Sequence, residues 1–209
     1  MYLSRLTVSA SRMTFMWISN PYRVHQRLRM GCQDDPHLLF RIEENNQGVT
    51  QILVQSQNGP DWKKAFNEFP VLSIPPECKL FLPKLSTGRS YRFRLLANPT
   101  VKKTIDSAGG QKKVRLGLLK EEAQRDWLQR KIEAAGGTVL ASRTLPRGFQ
   151  LSRKNSAKDE THQTHLAVLF EGILQVNDVT LLQSALETGV GSAKGYGFGL
   201  LSVAPMRAA

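Results

Sequence analysis

The sequence contains few of the residues that form disulfides or bind metal ions. Its 209 residues include two cysteines, Cys32 and Cys78, and four histidines. The cysteines form no CxxC pair, and no group of carboxylates and histidines has the spacing of metal ligands. We expect His162 and His165 to be exposed residues, not ligands. These absences exclude a disulfide framework and a zinc motif, so we expect a reduced intracellular protein without a metal or cofactor.

Long apolar runs and acidic residues are also scarce. The longest apolar run near the N-terminus, residues 15–18, is far too short for a signal peptide or a membrane span. Only 17 acidic residues oppose 29 lysines and arginines, which gives a net charge of +12 and an isoelectric point near 10.0. Such an excess favours a polyanionic partner, either a nucleic acid or an anionic membrane surface. We expect a cytoplasmic protein with no membrane segment.

The segment NPYRVHQRLR, residues 20–29, predicts a helix with one packing face. Asn20 is a favourable N-cap, and Pro21 suits the first helical position. At 3.6 residues per turn, Val24 and Leu28 turn together toward a core. The other faces carry polar and charged side chains, so this helix can both pack on the protein and present groups to a ligand.

Tyr22, His25 and Arg29 share another face of the same helix. A histidine titrates near neutral pH, and beside arginines that hold a phosphodiester it is a candidate general acid or base. Arg23 and Arg27 flank it as candidate phosphate ligands. The alternative is that His25 is a surface or packing residue and that the arginines are solvated charges.

The pattern of apolar residues and turn formers predicts the element order βαββαβ twice. In the first half we expect strands at 2–8, 37–42, 49–55 and 79–82, with helices beginning at residues 20 and 62. In the second half we expect strands at 90–97, 138–145, 165–176 and 200–203, with helices at 119–135 and after Asp178. Residues 9–19 are expected to be a connection, and residues 100–115 a mobile basic loop.

Two such units are typical of an α+β fold made of tandem ferredoxin-like (RRM-like) domains. Each would place two helices on one face of a four-stranded antiparallel sheet. We expect the domains at residues 1–86 and 87–209. In the strand at 90–97 apolar residues alternate with arginines, so one sheet face would be apolar and the other cationic.

A glycine-rich segment, GVGSAKGYGFG at residues 189–199, lies between the last helix and the last strand. Glycines let a backbone approach a phosphate chain closely, and exposed N–H groups bind anions. Gly191, Gly195, Gly197 and Lys194 are therefore candidate ligand contacts. A dinucleotide-binding motif is excluded, because here a helix precedes the glycines and a strand follows them. The alternative is a tight turn that only allows helix and strand to pack.

Six motifs are spread over essentially the whole chain. They are MYLSRL, NPYRVHQRL, YRFRLLANPT, KEEAQRDWLQRKI, VLFEG and GVGSAKGYGFGLLSVAP. Their order and spacing together resemble those of the CasE family, the CRISPR-associated endoribonucleases of the type I-E Cascade complex within the RAMP superfamily. The last motif is close to diagnostic of the RAMP glycine-rich loop.

The resemblance implies metal-independent cleavage of the repeat RNA in a long CRISPR transcript. Attack by a ribose 2′-hydroxyl on the adjacent phosphate would leave a 2′,3′-cyclic phosphate and a 5′-hydroxyl. The family's histidine falls on His25 and its partner tyrosine on Tyr22. His25 would act as general acid on the 5′ oxygen or as base on the 2′-hydroxyl, and Tyr22 would position the phosphate or share in proton transfer.

The resemblance also implies recognition of a short RNA stem-loop by a basic hairpin. Arg153 and Lys154 match that hairpin best, and the glycine-rich segment with Lys194 would steady the RNA near the histidine. The expected partners are CRISPR repeat RNA and other Cascade subunits, and the free protein is expected to be a monomer. Two alternatives stay open: a non-catalytic RNA-hairpin-binding module, and a structural subunit whose basic surface meets an acidic protein.

Overall fold

A computed structural model of the chain describes residues 1–33, 35–107, 110–156 and 159–206. For residues 105, 107, 153–156 and 159–162 it describes the backbone alone. Within these ranges the chain forms a mixed α+β fold with antiparallel sheets. None of the helices there is long and apolar enough to cross a membrane.

The elements follow one another in two comparable sets. The first set is β1 (Tyr2–Thr7), α1 (Arg12–Ile18), α2 (Pro21–Gly31), β2 (Leu39–Glu44), β3 (Thr50–Ser56), α3 (Trp62–Phe66) and β4 (Glu77–Leu80). The second set is β5 (Ser90–Ala97), β6 (Thr100–Ser107), β7 (Gly110–Gly117), α4 (Glu121–Ala134), β8 (Gly137–Ser156), β9 (Asp159–Val176), α5 (Val179–Thr188) and β10 (Leu201–Pro205). A short 3₁₀ turn, Lys194–Tyr196, lies within the glycine-rich segment.

Two four-stranded sheets organise these sets. The first sheet has the strand order β2-β3-β1-β4 and the second has the order β10-β5-β9-β8. Every neighbouring pair in both sheets is antiparallel. The predicted order βαββαβ is present in both sets, with α1 and the hairpin β6–β7 added to it.

The two added elements correct the prediction from sequence. Residues 12–18 form a helix and not a plain connection, because the Ser11 hydroxyl accepts a hydrogen bond from the Thr14 N–H at 3.1 Å. Residues 100–107 and 110–117 form paired antiparallel strands and not a loop, because their backbones pair in register from Thr100–Gly117 to Ser107–Gly110. Strands β8 and β9 also extend beyond their predicted bounds, since they pair with each other along nearly their full length.

Each sheet covers its own hydrophobic core. Helices α1, α2 and α3 pack on the first sheet, and α4 and α5 pack on the second. The fully buried side chains include Leu6, Leu28, Phe40 and Ile52 in the first core and Leu95, Ile132, Phe170 and Leu182 in the second. The alternation predicted for β5 is confirmed, since its apolar residues are buried and its arginines are exposed.

A buried arginine fastens the two sheets to each other. Arg41 on β2 is only 3% exposed, and its guanidinium donates to the Leu200 carbonyl at 3.0 Å and to the Ser202 hydroxyl at 3.1 Å, both at β10. Its Nε also donates to Glu43 at 2.8 Å. A second link joins Gln55 Nε2 to the Leu186 carbonyl of α5 at 2.6 Å. These bonds set the position of α2, on the first sheet, relative to the glycine-rich segment that leads into β10.

Replacement of Arg41 by methionine should lower the free energy of unfolding by about 2–4 kcal/mol, because the buried acceptors at β10 lose their donor. Urea denaturation followed by circular dichroism measures the change. Arg92→Met is the matched control, since Arg92 is an exposed arginine of β5, and it should stay within about 0.5 kcal/mol of the parent. Equal stability of the two variants would contradict the role of Arg41.

Candidate functional site

His25 lies where helix α2 meets the glycine-rich segment. A Cβ atom built on Gly195 would stand 3.6 Å from Cε1 and Nδ1 of the His25 ring and 3.8 Å from its Nε2. The buried Phe40 ring of β2 stacks near the imidazole, with 6.1 Å between ring centroids and 23° between planes. The imidazole therefore lies against a backbone from the second set of elements and an aromatic ring from the first.

The predicted division of α2 into faces is confirmed. Val24 and Leu28 are fully buried in the first core, and Tyr22 and His25 are half-buried on another face. Burial lowers the pKa of His25 below its ordinary value, and the positive charge of Arg29 lowers it further. The neutral imidazole consequently predominates at pH 7, and in that form it can accept a proton.

A series of ring contacts extends from Tyr22 into the second sheet. The Tyr22 and Tyr196 rings stack with centroids 5.9 Å apart, and the Tyr196 and His165 centroids are 4.5 Å apart. Burial raises the pKa of Tyr196, and its proximity to Tyr22 adds to the effect. Gln150 Nε2 donates to the Tyr196 carbonyl at 2.7 Å, which ties the glycine-rich segment to β8. Tyr22 and His25 thus face adjacent residues of one segment, Tyr196 and Gly195.

The glycines of that segment have different surroundings. Gly191 and Gly197 have φ of +91° and +85°, and an added Cβ would meet the Trp127 ring at 3.1 Å and the Phe40 ring at 3.2 Å. Both surroundings fit the tight-turn alternative. Gly195 belongs to the 3₁₀ turn, and an added Cβ there would make only ordinary contacts with His25. That these three glycines contact RNA stays a prediction.

The Lys194 side chain connects the glycine-rich segment to the preceding helix, α5. Its Nζ donates to the Thr188 carbonyl at 2.6 Å, at the C-terminal end of α5. Burial lowers the pKa of Lys194, and repulsion from Lys131 acts in the same direction. A cation at a helix C-terminus satisfies an orphan carbonyl and opposes the helix dipole, so Lys194 has a structural contact of its own. Its predicted contact with RNA stays a prediction.

Arg23 and Arg27 line a cleft whose walls do not include His25. That cleft has a volume of about 660 Å³ and is lined by residues of α1 and α2. Arg27 donates to the Ala65 carbonyl at 3.3 Å, and its guanidinium lies 4.4 Å from the Phe69 ring centroid. The arginine that acts on His25 is Arg29. The predicted phosphate contacts of Arg23 and Arg27 stay predictions, and they would lie away from the histidine.

Arg153 and Lys154 lie on β8, where the backbone pairs with His162 and Thr161 of β9. Their side chains fall outside the described part of the structure, so their predicted contact with an RNA stem remains a prediction. Among the described residues, no group of three or more His, Cys, Asp or Glu is placed to hold a metal ion.

The expectation that His165 is exposed is wrong. This side chain is half-buried, and its Nδ1 lies 3.2 Å from the Asn98 amide nitrogen. His165, Asn98, Tyr196 and Phe40 are site residues that sequence reasoning missed. Only Tyr196 carried a signal, since it adjoins Gly195 in the glycine-rich segment. His165 and Phe40 stand on strands and Asn98 directly follows β5, and the sequence does not indicate what faces any of the three.

Comparisons with known proteins all indicate the same family. A family model described as CRISPR associated protein matches residues 1–205. The chain is similar to the CRISPR-associated endoribonuclease Cse3 of Thermus thermophilus, at 34% identity over 98% of this chain and 100% of the relative. It is also similar to the CRISPR system Cascade subunit CasE of Escherichia coli, at 32% identity over 99% of this chain and 100% of the relative. A solved structure of the CRISPR endoribonuclease Cse3 bound to 19 nt RNA has a TM-score of 0.81 and 32% identity, covering 98% of this chain and 100% of that chain.

Gly197→Ala should destabilise the protein by about 1–2 kcal/mol, because its positive φ and the nearby Phe40 ring both oppose a side chain. Gly195→Ala is the matched control. It adds the same methyl group in a helical turn with only ordinary contacts, so it should cost nothing or stabilise by up to about 1 kcal/mol. Thermal and urea unfolding of both variants measure the difference, and an equal loss would contradict the different roles of the two glycines.

The pKa of His25 should lie below its ordinary value of 6.5, and Arg29→Gln should raise it, because the substitution removes a nearby positive charge. Titration of the imidazole by nuclear magnetic resonance measures both effects. Arg23→Gln is the control from the same helix, since Arg23 lines the cleft whose walls do not include His25. An equal response to both substitutions would contradict the contribution of Arg29.

Proposed function

Because the chain belongs to the family of CRISPR-associated proteins, we propose that it is a metal-independent endoribonuclease that cleaves the repeat hairpins of precursor CRISPR RNA. The observation that carries the proposal is the half-buried Tyr22–His25 face, set against Gly195 and Tyr196. The Thermus thermophilus relative, which is similar over 98% of this chain, is named as a CRISPR-associated endoribonuclease. After cleavage the protein would keep the RNA and enter a Cascade complex, and the Escherichia coli relative is named as a subunit of such a complex.

The proposed reaction requires two proton transfers and no cofactor. The ribose 2′-hydroxyl loses its proton and attacks the adjacent phosphorus, the P–O5′ bond breaks, and the 5′ oxygen takes up a proton. The products are a 2′,3′-cyclic phosphate and a 5′-hydroxyl. With its lowered pKa, His25 is mostly neutral at pH 7 and suited to accept the 2′-hydroxyl proton. Its protonated fraction would supply the proton to the 5′ oxygen if it acts as the acid.

The Tyr22 phenol would hold the phosphate beside the imidazole. A phenol O–H donates to a phosphate oxygen without needing ionisation, and it stabilises the charge that develops there. Gly195 places only backbone against this side of the imidazole. Arg29 adds positive charge on the same face.

Exposed cations would supply most of the affinity for the RNA. The hairpin β6–β7 carries five of them, Lys102, Lys103, Lys112, Lys113 and Arg115. Arg153 and Lys154 would add contacts along the stem. A-form RNA offers phosphates more readily than base edges in its deep major groove, so these residues should contribute affinity more than sequence discrimination.

We also infer that both halves are ferredoxin-like domains, at residues 1–86 and 87–209. Support comes from the two four-stranded sheets, in which β1 lies between β3 and β4 and β5 lies between β9 and β10. The separate cores beneath the two sheets support the same division.

One observation favours a second candidate function, a module that binds RNA hairpins without cleaving them. His25 is half-buried and stacks near Phe40, which is also compatible with a packing role. The two functions predict the same salt-sensitive binding. They differ in whether product forms.

His25→Ala should abolish cleavage of labelled repeat RNA in EDTA while leaving the affinity for the hairpin nearly unchanged. A loss of at least about 100-fold in rate is expected for removal of a general acid or base. A 2′-deoxy sugar at the cut should block cleavage by the wild type. His37→Ala is the matched control, since His37 precedes β2 and takes no part in the site. Binding without product by the wild type would favour the module, and a requirement for added Mg²⁺ would contradict the metal-free reaction.

A further inference from the structure

A second cavity opens on the far side of Tyr196 from Tyr22. It has a volume of about 480 Å³, within the range of sites that hold small ligands. Its wall combines aromatic rings with polar groups: Tyr196, His165, Phe149, Asn98 and Arg115. Neither the proton transfers nor the stem contacts proposed above make use of it.

The hydrogen bond between Asn98 and His165 fixes the tautomer of this histidine. An amide nitrogen can only donate, so Asn98 Nδ2 donates to His165 Nδ1, which must accept. Burial lowers the pKa of His165, and the neutral ring therefore carries its hydrogen on Nε2. The cavity wall thus contains an imidazole whose N–H donor is known.

Two polar atoms of this pair have no hydrogen-bond partner among the described residues. They are His165 Nε2, a donor, and Asn98 Oδ1, an acceptor, and both are buried. A buried donor or acceptor that makes no hydrogen bond costs about 1–3 kcal/mol, so such groups are rare in native proteins. Both atoms are shielded by the surrounding protein, so a ligand in the cavity would meet the exposed Phe149 ring and Arg115 guanidinium instead, groups that stack on a base and pair with a phosphate.

We propose that this cavity binds an unpaired nucleobase next to the cleaved phosphate, with its face on the exposed ring of Phe149. The inference rests on the proposed RNA cleavage and adds a specificity site to it. Nucleic-acid enzymes commonly stack a base on an aromatic side chain while they read its edge.

The position of the cavity agrees with this role. Tyr196 is the shared wall: its ring contacts His165 on the cavity side and Tyr22 on the catalytic side, at 4.5 and 5.9 Å between centroids. The next residue back, Gly195, adjoins His25. Arg115 at the cavity rim can pair with a backbone phosphate of the same nucleotide. A nucleotide held at His25 therefore has a neighbour within reach of the cavity.

The test measures binding of an uncleavable repeat RNA that carries a 2′-deoxy sugar at the cut. A set of such RNAs has one abasic nucleotide at each position flanking the cut. For the wild type, one position should weaken binding by about tenfold or more, the scale of one base stacked on an aromatic ring. Phe149→Ala should weaken binding of the intact RNA by a similar factor, and the abasic change should then add little, because both remove the same contact.

Leu151→Ala is the matched control for Phe149→Ala. Both residues lie on β8 and are 62% exposed, but Leu151 does not line the cavity. Its effect should add to that of every abasic site.

Abasic positions that weaken the wild type and Phe149→Ala equally would overturn the base site. The same holds if no flanking abasic position weakens the wild type. A wild type that binds this RNA but leaves the unmodified strand intact would overturn the proposed cleavage, and the binding series would still test the base site. Absence of any hairpin binding would overturn both proposals.

Discussion

The buried guanidinium of Arg41 is the contact on which the arrangement of the site depends. Arg41 lies on β2 of the first sheet, and its guanidinium donates hydrogen bonds to Leu200 and Ser202 at β10 of the second sheet. Since α2 packs on one sheet and the glycine-rich segment leads into the other, the distance between His25 and Gly195 follows from how the sheets meet. Removing a cation from water is expensive, and three hydrogen bonds offset that cost here.

The candidate site takes its properties from this meeting of two halves. The first half contributes the His25 imidazole, whose burial lowers its pKa and keeps it mostly neutral at pH 7. The second half contributes the Gly195 backbone and the Tyr196 ring. Helix α2 has two candidate functional faces: His25 lies on one, and Arg23 and Arg27 line the cleft on another. The proposed phosphate contacts of Arg23 and Arg27 and the proposed chemistry of His25 therefore fall on different faces of one helix.

Local patterns in the sequence predicted the local features of this protein. The faces of α2, the alternation in β5 and the repeated element order follow from spacing that a single segment carries. Pairing between distant segments was beyond that reasoning: β6–β7 looked like a basic loop because its lysines hide the strand pattern. His165 looked exposed because its partner, Asn98, lies 67 positions away. Phe40 looked like an ordinary core residue, since only the fold brings it to His25.

Because the site is divided between two sheets, the RNA that remains bound after one turnover would change the stability of the protein. An RNA bound as proposed would touch α2, the glycine-rich segment and β8, so neither half could unfold without releasing it. A ligand that binds only the folded chain stabilises it by RT ln(1 + [L]/Kd), which is about 2.7 kcal/mol when the ligand is at 100 times its Kd. The cleaved RNA would then serve as a structural component of the molecule that made it.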